Sequence, residues 1–429
     1  MKLTIHRGAK QIGGSCVEVS TATTRLILDA GSPMEEPSPV KASFSKSSRP
    51  TDLPDVPGLF SDEPNVDALL LSHAHGDHTG LLPWVKPGIP IYCSKGTSKM
   101  LMAGAIFAGQ TEIPHEHQHL LETEKTIQIG DIAVTGLSVD HSAFDSMALL
   151  IEADGKRLLY SGDLRMHGRK PGMARDLFKF IAKKPVDVLL MEGTNLRESS
   201  PANGSGNSSE ADLEATLCRA IKRWNHLVLA SFSPQHFDRM ISFYKATRDA
   251  GRILVLDVYG AFVWHLASGQ CRIPKLTARN GIRVFYNQSF QQTWKRKNRK
   301  KIHDMFLDAR IDLPAILAEP DRYTMLFRPS MLNLDFGGKL PQHTMCLYSL
   351  WSGYLVKPEY QELKAALKKA EGELSECHTS GHIFAEDLVK FVKTVNPRLV
   401  VPVHTESAKK FRDLFQNALL LSDGCPLIV

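Results

Sequence analysis

At 429 residues, with 43% apolar and 23% charged side chains, the chain is expected to fold throughout, and its composition excludes a largely disordered protein. No apolar run approaches the ~18 residues that a bilayer span requires, and the N-terminal MKLTIHRGAKQIGGSCVEV has no apolar signal core, which points to a cytoplasmic protein without a membrane partner. A net charge of +6 favours a polyanionic partner without deciding for one. The seven cysteines at 16, 93, 218, 271, 346, 377 and 425 are scattered and include no C-x-x-C pair, so they read as reduced thiols rather than a disulfide framework or a zinc-cysteine cluster.

Short β-branched and apolar runs at 25–29, 66–71, 132–139, 147–151, 157–161 and 186–191 recur between Gly, Asp and Pro turns, which predicts a strand-rich first 195 residues. Residues 32–65 carry many Pro and Ser with little periodicity and read as a long surface loop. The clearest break in composition is PANGSGNSSE at 201–210, and a domain boundary is placed just before it. From 211 the pattern becomes helix (ADLEATLCRAIKRW), strand (HLVLASF), helix (234–250) and strand (GRILVLDVY), the order expected of βαβ units in a parallel sheet. A helical stretch at 358–370, the segment ELSECHTSGH, a helix at 384–395 and the strand PRLVVPVH then restore the character of an α/β layer.

The densest chemistry lies in VDALLLSHAHGDHTGLLP (66–83), where His73, His75, Asp77 and His78 directly follow a strand-like run. On a tight loop leaving a strand, His73 and His75 can face one metal while Asp77 and His78, a turn later, face a second; imidazole and carboxylate suit zinc. The plainer alternative is a histidine-rich surface loop. Against it stand His141, after IAVTGLSVD, Asp163, after RLLYSG, and His404, after RLVVPV, each at a strand end from which it can point into one pocket. Singly each reads as a satisfied polar residue; together they complete the ligands of two zinc ions.

The sequence resembles the metallo-β-lactamase superfamily and, within it, the β-CASP nucleases, including ribonuclease J and the cleavage/polyadenylation-type nucleases. The resemblance rests on HAHGDH (73–78), Asp29 in LILDAGS, His141 in VDHSAFDS, Asp163 in YSGD, Glu192 in LLMEGTN, His382 in HTSGH and His404 in VPVHTE. It implies an α/β protein with an αββα metallo-β-lactamase sandwich (1–197 and 375–429) interrupted by an inserted α/β β-CASP domain (198–374), with the active site in the cleft between them. It further implies one zinc on His73, His75 and His141, a second on Asp77, His78 and His404, Asp163 bridging, and Asp29 holding the histidine loop. The chain ends at 429, where ribonuclease J usually carries a further C-terminal domain; oligomeric state and 5′-end dependence stay open on that account.

Two zinc ions of this kind would activate water for attack on phosphorus, with Asp77 part of the catalytic centre. The leaving ribose oxygen needs a proton, for which His382 is the expected general acid, with Glu192 keeping it protonated. His378 reads either as a phosphate contact or as structural, and Ser380 of the same motif is a candidate substrate contact. After the strand LVLAS, Ser233 is expected to cap a helix with Pro234 in its first turn, leaving a phosphate site near His236 and Arg239 or merely a cap. The basic run TWKRKNRKKIH (293–303) reads either as a nucleic-acid track with Trp294 stacking on a base, or as a solvated face. The expected function is a ribonuclease acting on single-stranded RNA, with a homo-oligomer left open; the resemblance ties His at position 404 to RNA rather than DNA. A DNA nuclease, a small-ester hydrolase of the same fold and an inactive scaffold subunit are the alternatives.

Overall fold

Short β-branched and apolar runs set the first half of the chain into strands, and their order fixes where the chemistry gathers. The computed structural model describes residues 1–34, 50, 52–62, 65–111, 113–196 and 209–429. In chain order its strands are β1 (Lys2–Arg7), β2 (Cys16–Ser20), β3 (Arg25–Leu28), β4 (Ala68–Leu70), β5 (Ile91–Ser94), β6 (Gln118–Leu121), β7 (Thr126–Ile129), β8 (Ile132–Ser138), β9 (Met147–Ala153), β10 (Lys156–Tyr160) and β11 (Val188–Glu192). There follow β12 (Val228–Ser231), β13 (Ile253–Asp257), β14 (Ile282–Phe285), β15 (Arg310–Ile311), β16 (Tyr323–Leu326), β17 (Met345–Tyr348), β18 (Glu373–Glu376), β19 (Leu399–Val403) and β20 (Pro426–Ile428).

The described residues fall into two compact units, one within Met1–Glu35, Ser45–Ala202 and Gly381–Val429, the other within Asn203–Ser380. These divisions lie a few residues C-terminal to the limits at 198 and 375 that the resemblance implies. Of the expected 32–65 loop and 201–210 break, residues 35–49, 51, 63–64 and 201–208 lie outside the described residues.

In the first unit two sheets pack face to face, with orders β20-β1-β2-β3-β4-β5-β6 and β19-β11-β10-β9-β8-β7. Their inward side chains, among them Leu3, Ile5, Val17, Leu26, Leu28, Leu149, Ile151, Leu158, Leu190 and Val401, form one buried core. A second core covers the outer face of the β7–β11/β19 sheet, where Leu177 and Ile181 of the helix Gly172–Ile181 and Leu388 and Phe391 of the helix Ala385–Val395 are buried. This is the αββα layering that the sequence resemblance implies. Strands β9 and β10 are joined by Asp154 and Gly155, both at positive φ (52° and 69°), as a two-residue hairpin that keeps the strand twist requires.

Strand direction places the site. β10, β11 and β19 pair in parallel, and β8 runs the same way because β9 lies antiparallel to both β8 and β10. The C-terminal ends of β8, β10, β11 and β19 therefore share one edge, from which His141, Asp163, Glu192 and His404 emerge. In the opposing sheet β3 and β4 are parallel, so Asp29 and the 73–78 loop also leave from a common edge.

The second unit is a seven-stranded sheet ordered β15-β14-β13-β16-β12-β17-β18 with every pair parallel, as the alternation of helices and strands predicts. The helix expected from 234 instead spans Phe237–Asp249, with His236 at its N-cap and no side-chain cap. The Ser233 carbonyl accepts the His236 N–H (2.9 Å), so Pro234 and Gln235 form a turn first. Proline's fixed φ suits the second position of such a turn as well as it suits a first helical residue. Ser233 is thus not the helix cap.

Candidate metal centre

Two groups of ligand atoms form within the first unit. His73, His75 and His141 make one, and Asp77, His78, Asp163 and His404 the other, with the ligand atoms of each group within 4.8 Å of one another. Asp163 stands between them. Its Oδ2 is 3.1 Å from His78 Nε2, 3.7 Å from His73 Nε2 and 3.8 Å from His141 Nε2.

The imidazoles are aimed by partners behind them. Asp29, at φ 61° just after β3, accepts four hydrogen bonds: from Ser72 N–H (2.7 Å), Ser72 Oγ (2.7 Å), His78 Nδ1 (2.8 Å) and Tyr160 Oη (2.8 Å). His141 Nδ1 donates to the Gly381 carbonyl (2.6 Å), His73 Nδ1 meets Ser72 Oγ (3.0 Å) and His404 Nδ1 meets Thr194 Oγ1 (2.9 Å). In each of these four rings Nδ1 is held from outside, which leaves Nε2 turned inward with its lone pair, the arrangement that fixes a metal-binding tautomer. His75 instead presents Nδ1, 3.2 Å from His141 Nε2. Glycine is needed at two close approaches: a Cβ on Gly31 would sit 1.7 Å from the Asp77 carbonyl oxygen, and one on Gly381 would sit 2.4 Å from Ser142 Oγ.

Two observations bear on whether these residues fit a metal. His73 Nε2 and Asp163 Oδ1 are buried without a hydrogen-bond partner, a costly condition for groups that nothing else satisfies. The charge states of His73, His75, His141, Asp77 and Asp163 also match those that ligation demands, whereas His78 is raised well above the ordinary histidine range because Asp163 and Asp29 outweigh its burial. Burial, the largest influence, drives His73 and His141 well below the ordinary histidine range and lowers His75, so these three are neutral. Burial would raise Asp77 and Asp163, but His404 and His78 outweigh it and hold both carboxylates ionised. The donor set therefore fits divalent metal.

Beside this centre, Glu192 is fully buried at the end of β11. It accepts the Leu164 and Thr194 N–H groups (3.0 and 3.3 Å) and meets His382 Nδ1 at 3.2 and 3.1 Å through its two oxygens. Burial alone would lower His382, but Glu192 and Asp163 reverse this and raise it to about 9. His382 also lies 3.7 Å from Asp163 Oδ2, and Asp163, Glu192, His382 and His404 form a further group of ligand-type atoms.

The remaining candidates lie in the second unit. Arg239 is fully buried and its guanidinium is engaged throughout: Nη2 donates to Glu210 Oε1 (2.9 Å) and the Thr379 carbonyl (3.0 Å), Nη1 to the Ser349 carbonyl (2.9 Å) and Oγ (2.6 Å). Arg239, expected near a phosphate site at this helix start, instead has its charge taken up by buried Glu210. His236 is buried 3.4 Å from Glu210 Oε1, and His378 Nδ1 lies 3.2 Å from Arg239 Nη1, so both belong to the same network. Ser233 is exposed and Ser380 half-buried. In the basic run Trp294 stacks on His303 (4.2 Å between centroids), and the run crosses from the helix Gln288–Thr293 to the helix Lys300–Met305 rather than lying on one helix face.

Ser72, Tyr160 and Thr194 were missed by sequence reasoning. Ser72 adjoins His73 and Thr194 follows Glu192 by two residues, so adjacency could have flagged them; Tyr160 carried no local signal.

Comparison with known proteins agrees with this geometry. Residues 37–237 match a β-lactamase superfamily domain and residues 369–418 a Zn-dependent metallo-hydrolase RNA specificity domain. The chain thus carries a domain of the β-lactamase superfamily together with the RNA specificity domain. Its pairing of the two matched segments is consistent with the β-CASP nuclease family within it. Ribonuclease J of Sinorhizobium meliloti is 24% identical over 377 residues, covering 83% of this chain and 60% of that protein. Ribonuclease J of Helicobacter pylori (strain ATCC 700392 / 26695) is 25% identical over 431 residues, covering 95% of this chain and 56% of that protein. The chain thus spans little more than half the length of these relatives. A solved structure of a protein of unknown function from Enterococcus faecalis V583 shares the fold, with a TM-score of 0.77 at 22% identity over 100% of this chain and 99% of that one.

Proposed function

We propose that the protein is a metal-dependent hydrolase that cleaves phosphodiester bonds of single-stranded RNA, with residues 1–197 and 375–429 as its catalytic domain and 198–374 inserted into it. The observation that carries this reading is the pair of ligand groups, with Asp163 of the second 3.7 and 3.8 Å from His73 and His141 of the first, and with His73 Nε2 and Asp163 Oδ1 buried without a hydrogen-bond partner. His73, His75 and His141 would hold one zinc ion and Asp77, His78 and His404 a second, bridged by Asp163. Zinc bound there would activate water for attack on phosphorus at neutral pH and offset charge on phosphate oxygens.

The chain's own groups divide the remaining work. Asp29 holds Ser72 and His78 in place, and so sets the direction of the 73–78 loop. Glu192 fixes the His382 ring through Nδ1 and favours its protonated form. Nε2–H of that ring can then donate to a departing ribose oxygen, whose alkoxide would otherwise be a poor leaving group. Ser233 would contact a 5′-terminal phosphate, so that hydrolysis runs from the 5′ end. The intact ligand set argues against an inactive scaffold, and the match at 369–418 to an RNA specificity domain argues against a small-ester hydrolase.

Incubation with end-labelled single-stranded RNA and DNA of one sequence tests this reading. RNA is expected to be hydrolysed and DNA spared, with 5′-monophosphorylated RNA degraded faster than 5′-triphosphorylated RNA. Zinc-replete protein that cleaves neither polymer but hydrolyses an aryl ester would overturn it.

A further inference from the structure

Beyond the metal centre, the first unit holds a cavity of about 490 Å³ lined by Lys10, Lys409, Lys410 and Arg412 over an apolar floor of Leu420 and Leu421. Four cations face a single lining carboxylate, Glu406. Lys10, Lys409 and Arg412 are exposed, and Lys10 Nζ donates to Ser422 Oγ (3.0 Å) at the rim. Four cations around one carboxylate leave the lining with an excess of positive charge, which an anionic occupant complements.

The cavity is tied to the metal centre through the backbone. The His404 N–H donates to the Gly8 carbonyl (2.7 Å), two residues before Lys10, and the loop after Gly8 returns to place the Ser15 N–H on the Asp77 carbonyl (3.1 Å). On the other wall, Lys409 follows His404 by five residues, a length of chain that spans at most about 18 Å. The floor is anchored as well, since the Leu419 N–H donates to the Val400 carbonyl of β19 (2.8 Å). A polyanion gripped here is therefore held at a fixed, short distance from the ligands Asp77 and His404. The volume exceeds what one phosphate group fills, and an apolar floor beneath a cationic rim suits ribose and base below a phosphate backbone. Lys409, Lys410 and Arg412 also fall in the segment matched to an RNA specificity domain.

We infer that the Lys10/Lys409/Lys410/Arg412 cavity is a binding site for the phosphodiester backbone of the RNA substrate, outside the metal centre and a few nucleotides from the bond cleaved. This rests on the ribonuclease reading above. Binding of a fluorescein-labelled 30-nucleotide single-stranded RNA, followed by anisotropy at several salt concentrations, tests it. Parent and Lys409→Glu/Arg412→Glu proteins are compared in the full chain, both carrying His382→Ala so that the RNA survives. Zinc content and melting temperature are measured in parallel, to verify that the pair leaves the fold intact. The pair should weaken binding at least ~10-fold at 0.15 M salt and flatten the slope of log K against log salt by about 1.4, the loss of two phosphate contacts on a single strand. Unchanged affinity and slope overturn the inference and leave the surface to an acidic protein partner; so does weakened binding with an unchanged slope, which would mean lost packing rather than lost phosphate contacts. A parent that binds no RNA at all, while charged with zinc, removes the ribonuclease reading itself. Should the pair misfold, Lys409→Gln/Arg412→Gln is put to the same two measurements and judged by the same outcomes.

Discussion

The two units each bury histidines and charged groups at the ends of parallel strands, yet they treat them in opposite ways. In the second, Arg239 and Glu210 neutralise each other, and Ser349 and Thr379 take up the remaining guanidinium donors. In the first, seven ligand-type side chains converge with two buried atoms left unpartnered and three histidines held neutral. A satisfied network has already found its partners within the chain and explains itself through stability. An unsatisfied one, held rigid from behind by Asp29, Thr194 and the Gly381 carbonyl, is organised for a group the chain does not supply.

Breaking each network tests that contrast. The largest effect is expected from Asp163→Ala, the residue proposed to bridge the two ligand groups: zinc per chain should fall from about two to below one, and kcat/KM for RNA by on the order of 10⁴. Retention of two zinc ions by elemental analysis would show that Asp163 does not bridge. Next in size is His382→Ala, which should lower kcat by ~10²–10⁴-fold while zinc content stays at the parent level. Because His382 also approaches Asp163 and His404, metal loss in this variant would make it a ligand instead of an acid.

Arg239→Ala addresses the second unit. Removing one partner of a buried ion pair strands Glu210, and the expected cost is about 3–5 kcal/mol of stability, read as a large drop in melting temperature. Replacing both partners, as in Glu210→Gln/Arg239→Met, should recover much of it. A variant with unchanged melting temperature but a raised KM for RNA would restore Arg239 as a substrate contact. The smallest effect belongs to Ser233→Ala, which should narrow the preference for 5′-monophosphorylated RNA by a few-fold and leave stability within about 0.5 kcal/mol, since the residue is exposed and caps no helix. Equal narrowing by a substitution at distant, exposed Lys301 would remove Ser233 from the account.

Much was legible in the sequence because the relevant signals are local. HAHGDH places four ligand-type side chains within six residues, the strand runs before His141, Asp163 and His404 are contiguous, and the alternation after 211 specifies βαβ units. What the sequence misplaced also has a local cause. Ser-Pro reads equally as a helix start and as a turn, and only the Ser233–His236 hydrogen bond decides between them. The role of Arg239 was not legible at all, because its partners Glu210, Ser349 and Thr379 are 29, 110 and 140 residues away.

The sequence by itself determined the types of the ligands and the strands that deliver them, since short apolar runs and residue chemistry are read within a few positions. Which imidazole nitrogen faces inward, that Tyr160 supports Asp29 across 131 residues, and that Lys10 lines the same cavity as Lys409 and Arg412 were decided only by the tertiary structure. These depend on which strand ends share an edge. Sheet pairing fixes that between residues far apart in the chain, and no local pattern encodes it.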